Sequence, residues 1–223
     1  MAFEHNQPTD GNPRAISGWA LLLFLAALAI LLVAVRFLTG PELLLHGPLA
    51  ILAVFYGVGL CAVILAVIPI GWSAIPGLGL RPAAWKPVIL GVVGTVILSV
   101  GVSQLGIEPK AMKEAVDIAR QPGALATSLL VLAVLAPLVE ELVFRGLLYG
   151  WIAGRWGTTP AWLLSSVAFA LAHYEPAHII LVLPLGLLFG WMRRRTDSLL
   201  PSLVSHILNN GFALLAAVYL PGV

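Results

Sequence analysis

The sequence predicts an all-α protein, a polytopic transmembrane bundle of about seven to eight helices with a polar site inside the membrane. Three observations carry that expectation. The first is composition: 60% of the 223 residues are hydrophobic and 10% are charged, and the mean hydropathy is +1.01. A water-soluble domain holds about 45–50% apolar and about 25% charged residues, so this chain cannot cover its surface with polar groups unless lipid is the solvent. The second is the length of its apolar runs, several of which reach the ~20 residues that cross a hydrocarbon core of ~30 Å as a helix. The third is a set of ionisable side chains inside the later runs, where each costs at least about 2.5 kcal/mol at the membrane centre.

The elements follow in order. Residues 1–15 are polar, contain Pro8, Gly11 and Pro13, and read as a disordered tail; residues 16–223 read as a single transmembrane domain. The run from Ile16 to Leu38 is too long for a signal-peptide core and no small-residue cleavage site ends it cleanly, so it is read as a retained first span. Further spans run from about Gly47 to Ile70, Pro87 to Ile107, Ala124 to Trp156, Thr159 to Tyr174, Ala177 to Met192 and Leu199 to Leu220. The fifth and sixth are short for full crossings, and Pro137 offers a point where the fourth could break into two helices. Gly71 to Lys86 holds Pro76, Gly77, Gly79 and Pro82 between Trp72 and Trp85, which suits an interfacial loop with aromatic anchors. Glu108 to Pro122 alternates acids and bases and suits a short amphipathic surface helix. Cys61 stands alone in an apolar run, so no intrachain disulfide is possible, and it is expected as a small buried hydrophobe.

The net charge of +2 is too small to indicate a partner, and no nucleic-acid partner is expected. Placement of the cations says more. With the N-terminus on the cytoplasmic side, Arg14, Arg81, Lys86, Arg155, Arg193, Arg194 and Arg195 all fall inside, as the positive-inside rule requires. Lys110, Lys113 and Arg120 fall outside, accompanied by Glu108, Glu114 and Asp117, and Arg36 can snorkel from the outer end of the first span.

The intramembrane polar residues form three groups. Glu140, Glu141 and Arg145 lie in the fourth span, His173 in the fifth, and His206, Asn209 and Asn210 in the seventh. Glu141 and Arg145 are spaced i, i+4 and can pair on one helix face. Glu140 points about 100° away from Glu141 and lacks a local cation. His173 follows Phe169 by one turn, and His206 and Asn210 project side by side. Each group alone is also what a structural ion cluster, a packed histidine or interhelical polar glue would look like. Together they imply more. Glu140 and His173 each stand about 16 residues from the turn near Gly157, which puts both at about 24 Å depth in an antiparallel pair, so they can face each other. Asn210 lies about 18 Å into the seventh span, near the same level.

A glutamate, two histidines and an asparagine support hydrolysis of a carbonyl. The carboxylate can take a proton from water, and His and Asn can donate to the oxyanion that forms. Alternatively, Glu140, His173 and His206 could hold a zinc ion with one open position. There is no H-E-x-x-H helix, G-x-S-x-G elbow or phosphate-binding glycine loop.

The succession Glu140-Glu141-x-x-x-Arg145, Phe169-x-x-x-His173 and His206-x-x-x-Asn210 resembles the CAAX protease and bacteriocin-processing enzyme family, intramembrane endopeptidases that include the Ras-converting CAAX endopeptidase. The resemblance covers about Leu80 to Leu220, with the motifs in 140–210. It implies that Glu140 activates water, that His173 helps to position it, that His206 and Asn210 hold the oxyanion, and that Glu141, Arg145 and Phe169 support them. It also implies a membrane-associated protein or peptide substrate, such as a prenylated C-terminus. The family has been described both as metal-dependent and as glutamate-type. A carboxamide is a poor zinc ligand, so Asn210 favours the oxyanion role and no required cofactor. The other readings are a zinc-dependent protease using the same residues, a non-proteolytic membrane binding or immunity protein, and a small transporter with Glu140 as proton relay. The last would be expected to show inverted repeats, which the sequence lacks.

Overall fold

The computed structural model describes residues 16–40, 43 and 47–220, and the tail at 1–15 lies outside them. Among the described residues there are helices and no strands: α1 (Gly18–Thr39), α2 (Pro48–Val67), α3 (Ala74–Leu78), α4 (Trp85–Ser103), α5 (Lys110–Ala119), α6 (Ala124–Trp156), α7 (Thr158–Leu171), α8 (Pro176–Thr196) and α9 (Leu200–Tyr219). Six of these, all except α3, α5 and α7, are long and apolar enough to cross a membrane, and α7 is a shorter apolar helix. All seven apolar runs of the sequence are therefore helices in an all-α polytopic bundle. The amphipathic helix expected between residues 108 and 122 is α5.

The bundle is organised around α6. In α6, 44% of the apolar window is buried, against 6% in α1 and 11% in α4. The pair α1–α2 packs on one side of α6, the α7–α8 hairpin and α9 pack on others, and α4 closes over α8 and α9. Pro137 does not break α6. It withholds the N–H that would close on the carbonyl one turn earlier, and wider i→i+5 turns over Leu129–Leu135 and Leu142–Leu148 flank the regular turn Ala136–Glu141. The acidic pair therefore sits where the ladder is locally widened on both sides.

The connector expected as an interfacial loop departs from that expectation in part. Trp72 and Trp85 are exposed as anchors should be. Between them, however, Gly71 turns the chain at φ 65°, and α3 folds back against the bundle with Ala74, Gly77 and Leu78 buried. Two glycines of α6 one turn apart receive it. A Cβ on Gly146 would lie 3.1 Å from the Leu78 side chain, and one on Gly150 would lie 2.9 Å from the Gly77 carbonyl oxygen. Small residues permit this close backbone approach in a membrane helix.

Arg193 locks the same region. The positive-inside count places it on the inner surface, yet it is 2% exposed. Its Nε donates to the Arg145 carbonyl at 3.0 Å, Nη2 donates to the Gly77 carbonyl at 3.3 Å, and Nη1 pairs with Asp197 at 2.8 Å. The Leu199 amide then donates to the Gly79 carbonyl at 2.8 Å, joining the start of α9 to the folded-back segment. Cys61 also departs from its expected burial: it lies on an exposed face of α2, where an apolar thiol meets lipid at little cost. Arg36, in the last turn of α1, is exposed, as snorkelling requires.

Replacing Gly150 by alanine places a methyl 2.9 Å from a backbone oxygen and 2.7 Å from Ile16, neither of which can retreat freely. The expected cost is about 1–3 kcal/mol, read as a lower melting temperature in detergent. Gly57→Ala, where nothing lies within 4 Å, should leave it unchanged.

Candidate active site

Glu141 and Arg145 form the ion pair that their spacing predicts: Arg145 Nη1 lies 3.1 Å from Glu141 Oε1 and both side chains are fully buried. The guanidinium is further held by donation from Nη2 to the Gly186 carbonyl at 3.0 Å, and it lies over the Phe169 ring at 4.2 Å and the Phe189 ring at 5.6 Å. Arg145 thus ties α6 to α7 and α8.

His206 reaches this pair from α9. Its Nδ1 lies 3.1 Å from Glu141 Oε1, and its Nε2 lies 3.6 Å from Glu140 Oε2. Its ring stacks on Phe189 at 4.8 Å and meets the edge of Phe169 at 5.7 Å. A glutamate ionised against Arg145 can only accept, so the proton on Nδ1 belongs to the histidine. His206 can then donate from Nε2 only as imidazolium.

Glu140 is less buried than its neighbour, with 15% of its side chain exposed. The sequence shows no local partner for it, and the structure supplies one from α2: the Tyr56 hydroxyl donates to Glu140 Oε1 at 2.9 Å. Oε2 is the oxygen turned toward His206. Sequence reasoning missed Tyr56. The contact joins residues 84 positions apart, and a lone tyrosine in an apolar span signals nothing by itself.

His173 caps the end of α7, where its Nδ1 lies 2.9 Å from the Phe169 carbonyl. A carbonyl only accepts, so Nδ1 carries the proton and Nε2 is left as acceptor. The ring packs edge-on to Phe169 at 5.0 Å and to His178 of α8 at 4.5 Å. No hydrogen bond or ion pair joins Glu140 to His173. The histidine that stands opposite Glu140 is His206, and His173 is linked to it through Phe169, whose ring touches both and also Arg145. Asn210 donates to the Leu132 carbonyl at 3.2 Å, in the first widened turn of α6, and its oxygen accepts from Asn209 at 3.4 Å. One N–H of the Asn210 carboxamide is left for a ligand.

Beyond the site, the loop between α7 and α8 is braced by Glu175, whose carboxylate accepts from the Lys110 and Ala111 amides at 2.8 and 3.4 Å. The Lys110 amide, with that of Ala111, holds the carboxyl below the usual glutamate range. This caps α5 with a residue of the loop that carries His173.

The zinc alternative requires Glu140, His173 and His206 to converge. Among the described residues no three His, Cys, Asp or Glu side chains are grouped as ligands would be, and no step below is routed through an ion.

Removing either partner of the buried Glu141–Arg145 pair strands the other's charge and is expected to cost about 3–5 kcal/mol. Arg145→Met and Glu141→Leu should each lower the melting temperature in detergent. Retained stability with lost turnover would instead place Glu141 in the chemistry.

Comparison with known proteins agrees with the geometry. The model of the family described as type II CAAX prenyl endopeptidase Rce1-like matches residues 122–212, which span all three motifs. Over 217 residues the chain is 24% identical to the Bacillus subtilis (strain 168) protein named "Putative membrane peptidase YdiL", covering 96% of this chain and 78% of that one. No solved structure matches.

Proposed function

We propose that the chain is an intramembrane endopeptidase with Glu140 as general base, a reading supported by the match of residues 122–212 to the Rce1-like CAAX endopeptidase family model. The observation that carries this reading is the asymmetry of the two neighbouring glutamates. Glu141 is sealed against Arg145 and His206, whereas Glu140 is partly exposed, with one oxygen held by Tyr56 and the other 3.6 Å from an imidazole nitrogen. That separation exceeds a direct hydrogen bond, so Oε2 is not committed to the imidazole.

In this mechanism Oε2 of Glu140 takes a proton from water as the water oxygen attacks the scissile carbonyl carbon. The carbonyl electrons move onto oxygen, and the oxyanion is met by Nε2–H of His206 and the remaining Nδ2–H of Asn210. His206 acts as imidazolium, the two glutamates balancing its charge and that of Arg145. Nε2 of His173 accepts from the same water and orients it. Collapse of the intermediate breaks the C–N bond, and Glu140 returns its proton to the leaving amine, so the enzyme ends as it began. Glu141, Arg145 and Phe169 do no chemistry; they fix the ring plane of His206. The substrate is a membrane-associated protein or peptide, prenylated or not, and the N-terminus lies on the cytoplasmic side, where the inner loops carry the arginines.

The test is cleavage of a quenched-fluorescence peptide ending in a farnesylated CAAX sequence. Glu140→Gln should abolish turnover while the protein inserts and purifies normally; full activity would end this assignment. Asn210→Ala should lower the rate by about 10²–10³-fold, the usual loss for one oxyanion donor, and Asn210→Asp should be at least as harmful. Protein treated with chelator and shown metal-free by elemental analysis should keep its rate. Loss on metal removal with rescue by zinc would make Glu140, His173 and His206 ligands instead.

A further inference from the structure

Tyr56 lies outside the three motifs and outside residues 122–212. We propose that Tyr56 is a positioning residue for the general base, holding Oε1 of Glu140 so that Oε2 is the oxygen presented to water. The proposal rests on the reading of Glu140 as base and extends the site to a helix that the family match does not reach.

The argument starts in α2. Its sequence is almost wholly aliphatic, and Tyr56 is its one hydroxyl. A hydroxyl in a membrane span has no water to fall back on and must find a partner within the protein. This one reaches Glu140 at 2.9 Å, with its ring fixed edge-on against Phe55 at 5.5 Å. The approach is set by Gly59, one turn further along α2. A Cβ there would lie 3.0 Å from the Val139 side chain, so with any other residue Val139 would have to give way for α2 to sit this close to α6. Val139 immediately precedes Glu140. The contact Gly59–Val139 thus fixes the distance at which the residue one turn earlier, Tyr56, meets the residue one position later, Glu140.

The consequence is orientational. A glutamate has three rotatable bonds, and a base that wanders loses the advantage of a held geometry. Of the site's two glutamates, Glu141 is immobilised by Arg145 and His206, while on Glu140 the hydrogen bond short enough to be directional is the one from Tyr56. With Oε1 taken, the free oxygen faces His206, the side on which the oxyanion donors stand.

Two measurements test this. The chain has four tyrosines, so protein labelled with ¹³C at tyrosine Cζ gives a spectrum in which Tyr56→Phe deletes one resonance and identifies it. Glu140→Gln should shift that resonance and leave the other three in place; an unmoved Tyr56 signal overturns the contact. In the farnesylated-peptide assay, Tyr56→Phe should lower kcat on the order of 10–100-fold, the range spanned by a hydrogen bond to a charged group, with KM and melting temperature unchanged. Gly59→Ala should lower kcat in the same direction, and Gly57→Ala, on the open face of α2, should not. If Glu140→Gln is dead and Tyr56→Phe keeps its full kcat, Tyr56 has no positioning role and the base assignment stands. If Glu140→Gln is active, the base assignment itself fails. A loss in Tyr56→Phe that appears in KM or melting temperature alone would make the tyrosine structural and overturn the proposal.

Discussion

The arrangement of the site depends on one buried ion pair, Glu141 with Arg145. Placing two charges inside a membrane bundle is costly, and their mutual attraction offsets that cost only where further hydrogen bonds occupy the remaining valences. Arg145 meets that condition in part through the Gly186 carbonyl and the faces of Phe169 and Phe189, and Glu141 in part through Nδ1 of His206. These partners come from three other helices: Phe169 from α7, Gly186 and Phe189 from α8, and His206 from α9. The pair therefore sets the mutual placement of α6, α7, α8 and α9, and the functional side chains inherit their positions from it. That Arg145 itself is gripped through its carbonyl by Arg193 extends the constraint to the C-terminal end of α8.

Phe169 translates the same constraint into ring geometry. Its ring contacts Arg145 by its face and both His173 and His206 edge to face. An aromatic ring so placed orients imidazoles without competing for their nitrogens, because its contacts are quadrupolar rather than hydrogen bonds. The nitrogens remain committed by stronger partners: a backbone carbonyl for His173 and a carboxylate for His206. The two histidines are thereby differentiated, one with a free acceptor nitrogen and the other with a nitrogen aimed at Glu140.

Much of this was legible in the sequence, and what was not has physical causes. The spans were legible because ~20 apolar residues have few other uses. The Glu141–Arg145 pair and the Phe169–His173 contact were legible because helical spacing fixes them locally. Long-range contacts were not. Tyr56 reads as one aromatic in an apolar helix, and nothing local announces a partner 84 residues away. Equal depth brought Glu140 and His173 to one level, but depth says how far along a helix two residues lie, not which faces they turn, and it gave no sign that α9 brings His206 within 3.6 Å of Glu140. The burial of Arg193 was not legible either, since three consecutive arginines give no sign that helix rotation sends one of them into the bundle. The folded-back α3 was hidden by composition, because glycine and proline mark a loop whether it lies on the surface or packs against a glycine-lined helix.

The widened turns of α6 explain how one helix can carry a pair of adjacent carboxylates in two different environments. In a regular helix neighbours are separated by about 100°, enough to send Glu140 and Glu141 to different faces but leaving every backbone carbonyl engaged. Where the ladder is widened, carbonyls become available to side chains, and two of them are used here: Leu132 in the first wide segment accepts from Asn210, and Arg145 in the second accepts from Arg193. The first acceptor precedes the glutamates in sequence and the second follows them. Asn210 and Arg193 thus clamp α6 above and below the acidic turn, and that turn, Ala136–Glu141, is left as a short regular helix held at both ends. Its rotation about the helix axis is then fixed, and so is the division of labour between the two glutamates, one turned into the sealed ion pair and the other toward the space it shares with Tyr56 and His206.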